Sequence, residues 1–429
     1  VKPVEEEGMR GLMAVAMAGC VAAGALAGPW PTWRGPLGDG HSPEKGLPTA
    51  WGETQNLLWK APLPGMGCST PVVWGDSIFL TCVVEKDLLL LAYDTKGKEK
   101  WQAKLGSGNV PARTDEGNWA SASAVTDGKH VWAFVASGDL ACHAVDGTKV
   151  WAVNLQEKYG KFNIQFGMHS TPVLHDGKLF VQLLHTGAQL VIALDAATGK
   201  EVWKVTRPSE GTDENPHSYA SPVLWQDGGK AYLVTHGNDH AVAHDLKDGH
   251  EIWRVIDLNP KDKYNKYLRF VASPVAAPGL IVVPTAKNGQ VVGIKPGATG
   301  IVGPGSGHEQ WRKPSNTPDV PSPLVADGLV YLCRENGTLI CIDAASGQEY
   351  YQERTTAGRF RASPVLVDGH VLVTNRDKGT VTVVKAGKKF EKVADNTVPD
   401  VLAASPAIAD GKIYLRGFKY LWAFGAPAR

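Results

Sequence analysis

Charge of one sign is what this sequence lacks most: 44 Lys and Arg stand against 43 Asp and Glu, a net charge of +1 over 429 residues. A chain this close to neutral has no overall field to draw it to nucleic acid or an anionic membrane, so any electrostatic site must be local. Long apolar runs are also scarce, and after residue 27 none approaches the ~20 residues a membrane-spanning helix needs. Cysteines number six. None has CxxC spacing, which removes the common zinc patterns, and no CxxCH marks a c-type haem. The Gly-rich stretch from Gly293 to Gly307 lacks the Gly-Lys-Ser/Thr of a phosphate-binding loop and reads as a surface loop.

What the chain has instead is 48 Gly, 28 Pro and 14 Trp, with 43% of residues hydrophobic. That composition excludes disorder, and helices tolerate neither breaker at this density. Short strands joined by turns, in a chain large enough to bury a core, are the remaining solution.

Met9-Arg10-Gly11, the Ala-rich Leu12 to Leu26, and Ala25-Leu26-Ala27 before Gly28 form the three parts of a secretory signal. Residues 1–27 are therefore expected to be cleaved after Ala27, with Met9 as the start because Glu5-Glu6-Glu7 lies on the wrong side for a signal. The alternative is a lipoprotein box, Met17-Ala18-Gly19-Cys20, with Cys20 carrying the lipid; the apolar stretch before it is short for that use. Either way the protein is expected to be exported, periplasmic or extracellular, and without a transmembrane helix in its mature form. Export permits disulfides. Cys68, Cys82, Cys142, Cys333 and Cys341 remain after cleavage, so at least one stays unpaired. Cys333 and Cys341 flank the turn Glu335-Asn336-Gly337 and could bond in one hairpin register only. Otherwise all five act as small buried apolar residues.

A period of about 40 to 50 residues, the signature of a propeller or solenoid, runs through the rest. Strand starts recur at Ser69-Thr70-Pro71, Ser170-Thr171-Pro172, Ser221-Pro222, Ser273-Pro274, Ser322-Pro323, Ser363-Pro364 and Ser405-Pro406, with a degenerate copy at Ser121-Ala122-Ser123-Ala124. Hairpin signals follow, among them Asp127-Gly128, Asp176-Gly177, Asp327-Gly328, Asp368-Gly369 and Asp410-Gly411. Later in each unit an Asp ends a strand, a Gly turns the chain, and an aromatic lies four residues on. Trp101, Trp151, Trp203, Trp253 and Tyr351 obey that phrase, and Trp59 and Trp311 occupy the same place in their units. A large flat ring at one fixed position can seal one sheet to the next. In the fifth unit Gly297 to Glu309 is inserted, and in the seventh Ala386 to Phe390 has no Trp. The eighth unit ends without a fourth strand, which Asn56-Leu57-Leu58-Trp59-Lys60 should supply. The expectation is an all-β, eight-bladed propeller over 56–425, preceded by a lead-in segment at 28–55.

The phrase Ala193-Leu194-Asp195-Ala196-Ala197-Thr198-Gly199-Lys200-Glu201-Val202-Trp203 resembles the pyrroloquinoline quinone-type repeat, over nearly the whole mature chain. That family includes quinoprotein alcohol dehydrogenases and the non-catalytic propeller lipoprotein of the outer-membrane barrel assembly machinery. The first resemblance implies a quinone clamped by a disulfide between adjacent cysteines, with calcium beside a catalytic Asp. No two cysteines are adjacent here, and no calcium ligands can be matched, so the second is favoured and neither quinone nor calcium is expected.

In a four-stranded antiparallel blade, the loop into the first strand and the loop between strands two and three open on one face. Incoming loops bring His169, His217, Tyr219, Arg269, Arg359 and Arg361 to it; inner hairpins bring His185, His236, Asn238, Asp239, His240, Lys287, Arg334 and Arg376. The incoming loops are also about twice as long after Trp101, Trp151, Trp203 and Trp253 as after Trp59, Trp311 and Tyr351, which is where functional loops are sought. The histidines with Asp239 leave a transition-metal site open, and the arginines leave open a carboxylate, acidic-sugar or peptide ligand. The expected function is binding: a monomeric scaffold for envelope proteins or a receptor for a small polar ligand, with a quinone- or metal-dependent oxidoreductase as the alternative.

Overall fold

The computed structural model describes residues 28–111, 115–286 and 288–426. The signal segment with Cys20, and Lys287, lie outside the described residues. Eight sheets follow one another along the chain, each built on four antiparallel strands, and they form an all-β, eight-bladed propeller. Blade one is Val72–Trp74, Ser77–Val84, Asp87–Tyr93 and Glu99–Ser107. The eighth blade takes Ala407–Ala409, Lys412–Arg416 and Tyr420–Gly425 from late in the chain and Leu57–Pro62 from early in it, with Lys60 opposite Trp422.

The Asp-Gly turns work as their chemistry dictates. Asp176, Asp327, Asp368 and Asp410 have φ between 46° and 53°, and the Gly after each has φ between 69° and 73°. Two successive left-handed residues make the tight hairpin whose twist suits paired strands, and only short polar residues and Gly adopt it cheaply.

The docking rings reach from each blade to the next. Trp59 Nε1 donates to Thr95 O at 3.0 Å, Trp101 to Val145 O at 3.0 Å, Trp151 to Ala196 O at 2.9 Å, Trp203 to Leu246 O at 3.2 Å and Trp311 to Ala344 O at 2.8 Å. Each ring lies flat over the turn glycine of the following blade. A Cβ on Gly97, Gly147, Gly199, Gly249 or Gly347 would stand 2.6 to 2.9 Å from the Trp atoms. Gly is thus required at those turns by contact as well as by φ. Two positions depart from the pattern. Trp253 has no partner for its Nε1; the inserted Gly300–Val302 pairs in parallel with Trp253–Val255 and covers it. Tyr351 has the Cys341 thiol beside its hydroxyl and meets Phe390 edge-on at 5.6 Å.

The Ser or Thr at each strand start is expected to bond backbone there, and the bonds it makes join neighbouring blades. Thr70 N donates to Ser123 Oγ, Ser123 N to Thr171 Oγ1, Thr171 N to Ser221 Oγ, Ser221 N to Ser273 Oγ, Ser273 N to Ser322 Oγ, Ser322 N to Ser363 Oγ and Ser363 N to Ser405 Oγ, all between 2.8 and 3.1 Å. This belt of hydroxyls runs round the inner wall.

Residues 28–46 lie on the face of the Asp-Gly turns, and Thr49 and Trp51 then bond Asn396 on the outer strand of blade seven. Trp30 exchanges two backbone bonds with Val73 in blade one. Arg34 then reaches across the axis, donating to Pro323 O and Pro364 O, each at 2.8 Å, and to Asp39 O at 2.9 Å. Burial lowers its pKa to about 10, and the nearby Asp39 carboxylate opposes that fall. His41–Ser42 adds a parallel strand to blade seven, and Glu44 accepts from Gly411 N at 2.7 Å.

The Cys333–Cys341 disulfide is not formed, and the reason is register. Cys333 lies opposite Leu339 while Cys341 lies opposite Tyr331, two positions out of step. Cys82, Cys142, Cys333 and Cys341 are free and buried, and Cys68 is free and half-buried.

The belt yields a direct test. Ser273→Ala leaves the buried Ser221 N–H without its acceptor and should cost about 1–3 kcal/mol. Ser170→Ala, at an equally buried hydroxyl that has no partner, should be neutral or stabilising. Denaturant midpoints of the two variants check this, and equal losses would contradict it.

Candidate functional site

Antiparallel order places the incoming loops and the inner hairpins on one face, opposite the Asp-Gly turns. There they surround a cavity of about 270 Å³ on the propeller axis. The belt hydroxyls line its wall, and Trp33, next to the buried Arg34, reaches it from the turn side. The lining is mixed: Phe166, Tyr219 and Phe418 offer ring surface, and Arg269, Arg361 and Arg376 offer charge.

Three of the arginines expected on this face meet at the mouth. Arg359 and Arg361 come from the loop into blade seven, and Arg376 from that blade's inner hairpin. The residues that bring them together belong to a distant loop, the one between blades one and two. Asp115 Oδ2 lies 2.6 Å from Arg359 Nη2, and its carbonyl accepts from Arg376. Glu116 accepts from Arg361 through Oε1 and lies 3.7 Å from Arg359. Asp377 braces the group from behind, 2.8 Å from Arg376 Nη1 and 3.0 Å from Arg359 Nε. The hydrogen bond from Arg359 holds Asp115 below the usual carboxylate range. Burial pushes Glu116 up, but the bond from Arg361 and the other guanidinium charges bring it below its ordinary value. Arg376 is the most enclosed of the three: its side chain is 3% exposed, it stacks over Phe418 at 5.4 Å, and its Nε has no partner.

Arg269 sits elsewhere on the rim, paired with Glu214 at 3.2 Å and lying over the Phe166 ring. Beside it, His169 Nε2 meets Phe166 O at 2.6 Å and its ring stacks on Tyr219. Burial pulls His169 down to about 4, so its imidazole is neutral at pH 7, and burial raises the Tyr219 phenol. Arg334 bonds Asn288 away from this group.

The remaining histidines do not converge. His185 Nδ1 accepts from Gly187 N at 3.0 Å, His217 Nε2 meets Thr186 Oγ1 at 3.0 Å, and His240 Nδ1 meets Val255 O at 3.1 Å. His236 is fully buried against Phe270, with ring centroids 4.7 Å apart. Asp239 is committed to bracing the long loops, accepting from Asn215 at 2.9 Å, Asn259 at 3.0 Å and Tyr264 at 2.9 Å; Asn238 accepts from Ser209 through its carbonyl. Among the described residues, one group of His, Cys, Asp or Glu places three ligand atoms close enough for a metal. It is Asp245, Asp248 and His250, on the turn face, away from the cavity.

The residues present do not fit the quinone clamp of the dehydrogenases. Among the described residues Cys68 is the one cysteine on the cavity, and it forms no disulfide. Several contributors escaped the sequence reasoning: the Asp115-Glu116 pair, the rings of Phe166 and Phe418, and the lead-in residue Trp33. The signal for the pair was the length of its loop, the longest of the incoming set.

Comparison with known proteins places this geometry. A family model described as outer membrane protein assembly factor BamB matches residues 136–300 and 297–420. A curated protein of that description from Yersinia pestis is 21% identical over 312 residues, 71% of this chain and 70% of its own length. Among solved structures, BamB from Moraxella catarrhalis superposes with a TM-score of 0.63 at 12% identity, covering 87% of this chain and 98% of its own. A quinohemoprotein alcohol dehydrogenase from Pseudomonas putida gives 0.64 at 14% identity, covering 93% and 80%. Likeness at these identities establishes the fold alone.

The neutral histidines predict how stability follows pH. Burial depresses His236 to about 3 and His169 and His185 to about 4, all from 6.5. A base whose folded pKa is lowered takes up its proton preferentially in the unfolded chain. Its stabilising contribution is therefore whole above pH 6.5 and is lost as pH falls toward the folded value, at up to about 1.4 kcal/mol per pH unit per proton. His236→Phe, which keeps the contact with Phe270, should flatten that slope between pH 6.5 and about 3. Denaturant titrations at stepped pH measure it, and an unchanged slope would assign the loss to other groups.

Proposed function

The chain belongs to the family of the outer membrane protein assembly factor BamB, and on that premise we propose that it is an exported, non-catalytic scaffold that holds other envelope proteins through its loop face. The observation that supports this best is the mouth of the cavity. Arg359, Arg361 and Arg376 stand together there on a rigid ring, in loops that the fold can vary without cost to its core. Guanidinium groups held by packing are well suited to protein interfaces, because they present several fixed donors and lose little freedom on binding.

A second reading has its own support. The cavity below the arginines combines hydroxyls with aromatic rings, a lining suited to a small polar or sugar-like ligand. A quinone-dependent oxidation has less, since the clamp residues are missing. No helix among the described residues is long and apolar enough to cross a membrane.

The scaffold reading predicts specific co-purification. With the tagged chain expressed in its cell of origin, defined envelope proteins should be recovered after crosslinking. Arg359→Glu with Arg361→Glu should reduce that recovery by about tenfold or more, as expected when like charges replace an interfacial pair. Lys200→Glu with Lys247→Glu, on the turn face, should leave it unchanged. Equal loss from both pairs, or from neither, would count against the loop face as the binding surface.

A further inference from the structure

Asp115 and Glu116 do at the mouth what an outside ligand would do. They are adjacent in sequence, they come from a loop separated from the arginines by some 244 residues of chain, and each uses its carboxylate on a different guanidinium. Asp115 adds its main-chain carbonyl as an acceptor for Arg376. A side chain and backbone of one residue, followed by the side chain of the next, is the contact pattern of a bound peptide. We propose that the arginine trio is a recognition site for an acidic peptide segment carrying two adjacent carboxylates, and that Asp115-Glu116 occupies it as a self-ligand which such a segment displaces. The proposal rests on the scaffold reading above and names the chemistry of its partner.

Charge and enclosure both support it. With Asp115 and Glu116 in place, the three guanidiniums of the trio face three carboxylates among the described residues, Asp377 included. When the pair leaves, Asp377 alone faces the trio and two positive charges are uncovered at the rim of a cavity. Arg376 would then keep Asp377 but lose the Asp115 carbonyl, and its Nε already has no partner. A buried guanidinium short of acceptors favours a replacement carboxylate strongly, because the alternative is an uncompensated charge. Arg359 is the opposite case: 37% of its side chain is exposed, so an incoming segment can engage it first. Asp115 is itself 56% exposed, hence open to exchange.

Competition for one site has a definite arithmetic. A ligand that must displace an internal one binds with its intrinsic affinity reduced by the fraction of molecules whose site is open. Removing the self-ligand should therefore tighten binding without adding a contact, and removing the arginines should abolish it in every background.

The experiment uses the full chain and a fluorescein-labelled peptide, Gly-Ser-Asp-Glu-Gly-Ser, with the amide peptide Gly-Ser-Asn-Gln-Gly-Ser as control, followed by anisotropy. Asp115→Asn with Glu116→Gln should bind the acidic peptide about tenfold more tightly than the unaltered chain, and added salt should weaken that binding. Arg359→Gln with Arg361→Gln should remove it from both, while thermal melting shows each variant folded. No gain in the amide variant, or equal binding of the control peptide, overturns the proposal. So does equal gain for a sulfated polysaccharide, which would show unspecific attraction of anions. If recovery of envelope proteins through this face holds while the peptide result fails, the acidic-pair proposal falls and the scaffold reading stands; the reverse pattern separates them the other way.

Discussion

The belt of hydrogen bonds from backbone N–H to the next blade's hydroxyl is the constraint on which this structure depends. A propeller's blades must converge on an axis, where backbone groups crowd together and water is scarce, so every inner N–H needs a partner. Strand pairing cannot supply one, because the innermost strand has no neighbour on its axial side. One Ser or Thr in each of blades two to eight solves the problem locally for the blade before it. The Pro that follows removes an N–H that would otherwise need a partner too. The docking tryptophans repeat the logic further out, each N–H bonding a carbonyl in the next blade's turn. Radial position is thus set twice, by hydroxyls inside and by indoles outside.

With the ring so fixed, the loop face is free to hold unusual groups. Arg207 is fully buried, bonded to Gly237 O at 2.7 Å, and burial brings it down to about 9. Arg416 is equally enclosed and donates to Ser69 Oγ at 2.5 Å. Such groups are costly unless a rigid frame supplies carbonyls at the right places. The frame does so in part: Arg207 reaches the carbonyls of Gly237 and His240 while its Nε and Nη1 have no partner. At the mouth the arginines are matched by neighbouring carboxylates instead, which is how a chain of net charge +1 carries a concentrated arginine cluster.

Most of the fold was legible because its determinants are local in sequence. A turn Gly and the Trp four residues on belong to one phrase, and the repetition of that phrase reveals the blade count. The contacts that complete the site are of another kind. Asp115 meets Arg359, and Arg34 meets Pro364, across hundreds of residues, and no periodicity encodes which loop bends over the axis. The histidines show the converse limit. Five were placed on the right face by phase alone, yet His236 points into Phe270 and His185 folds back on its own loop. Phase assigns a residue to a face; burial decides where its ring goes. The cysteine pair failed for a similar reason, since its bonding required one register and the hairpin adopted another.

The eighth blade has a consequence in time. Its outer strand, Leu57–Pro62, emerges early in synthesis, while Tyr420–Gly425, its partner, emerges only after the other seven blades. Until then seven blades can form in order, each on its predecessor, but the circle stays open and two sheet edges stay unpaired. Arg34 waits similarly for Pro323 and Pro364. Joining such distant segments carries a large entropy of closure and comes late on the folding route. Once made, the same junction resists reopening, because no blade can peel from an end that does not exist. Closing the circle is thus the step in which the ring acquires its persistence.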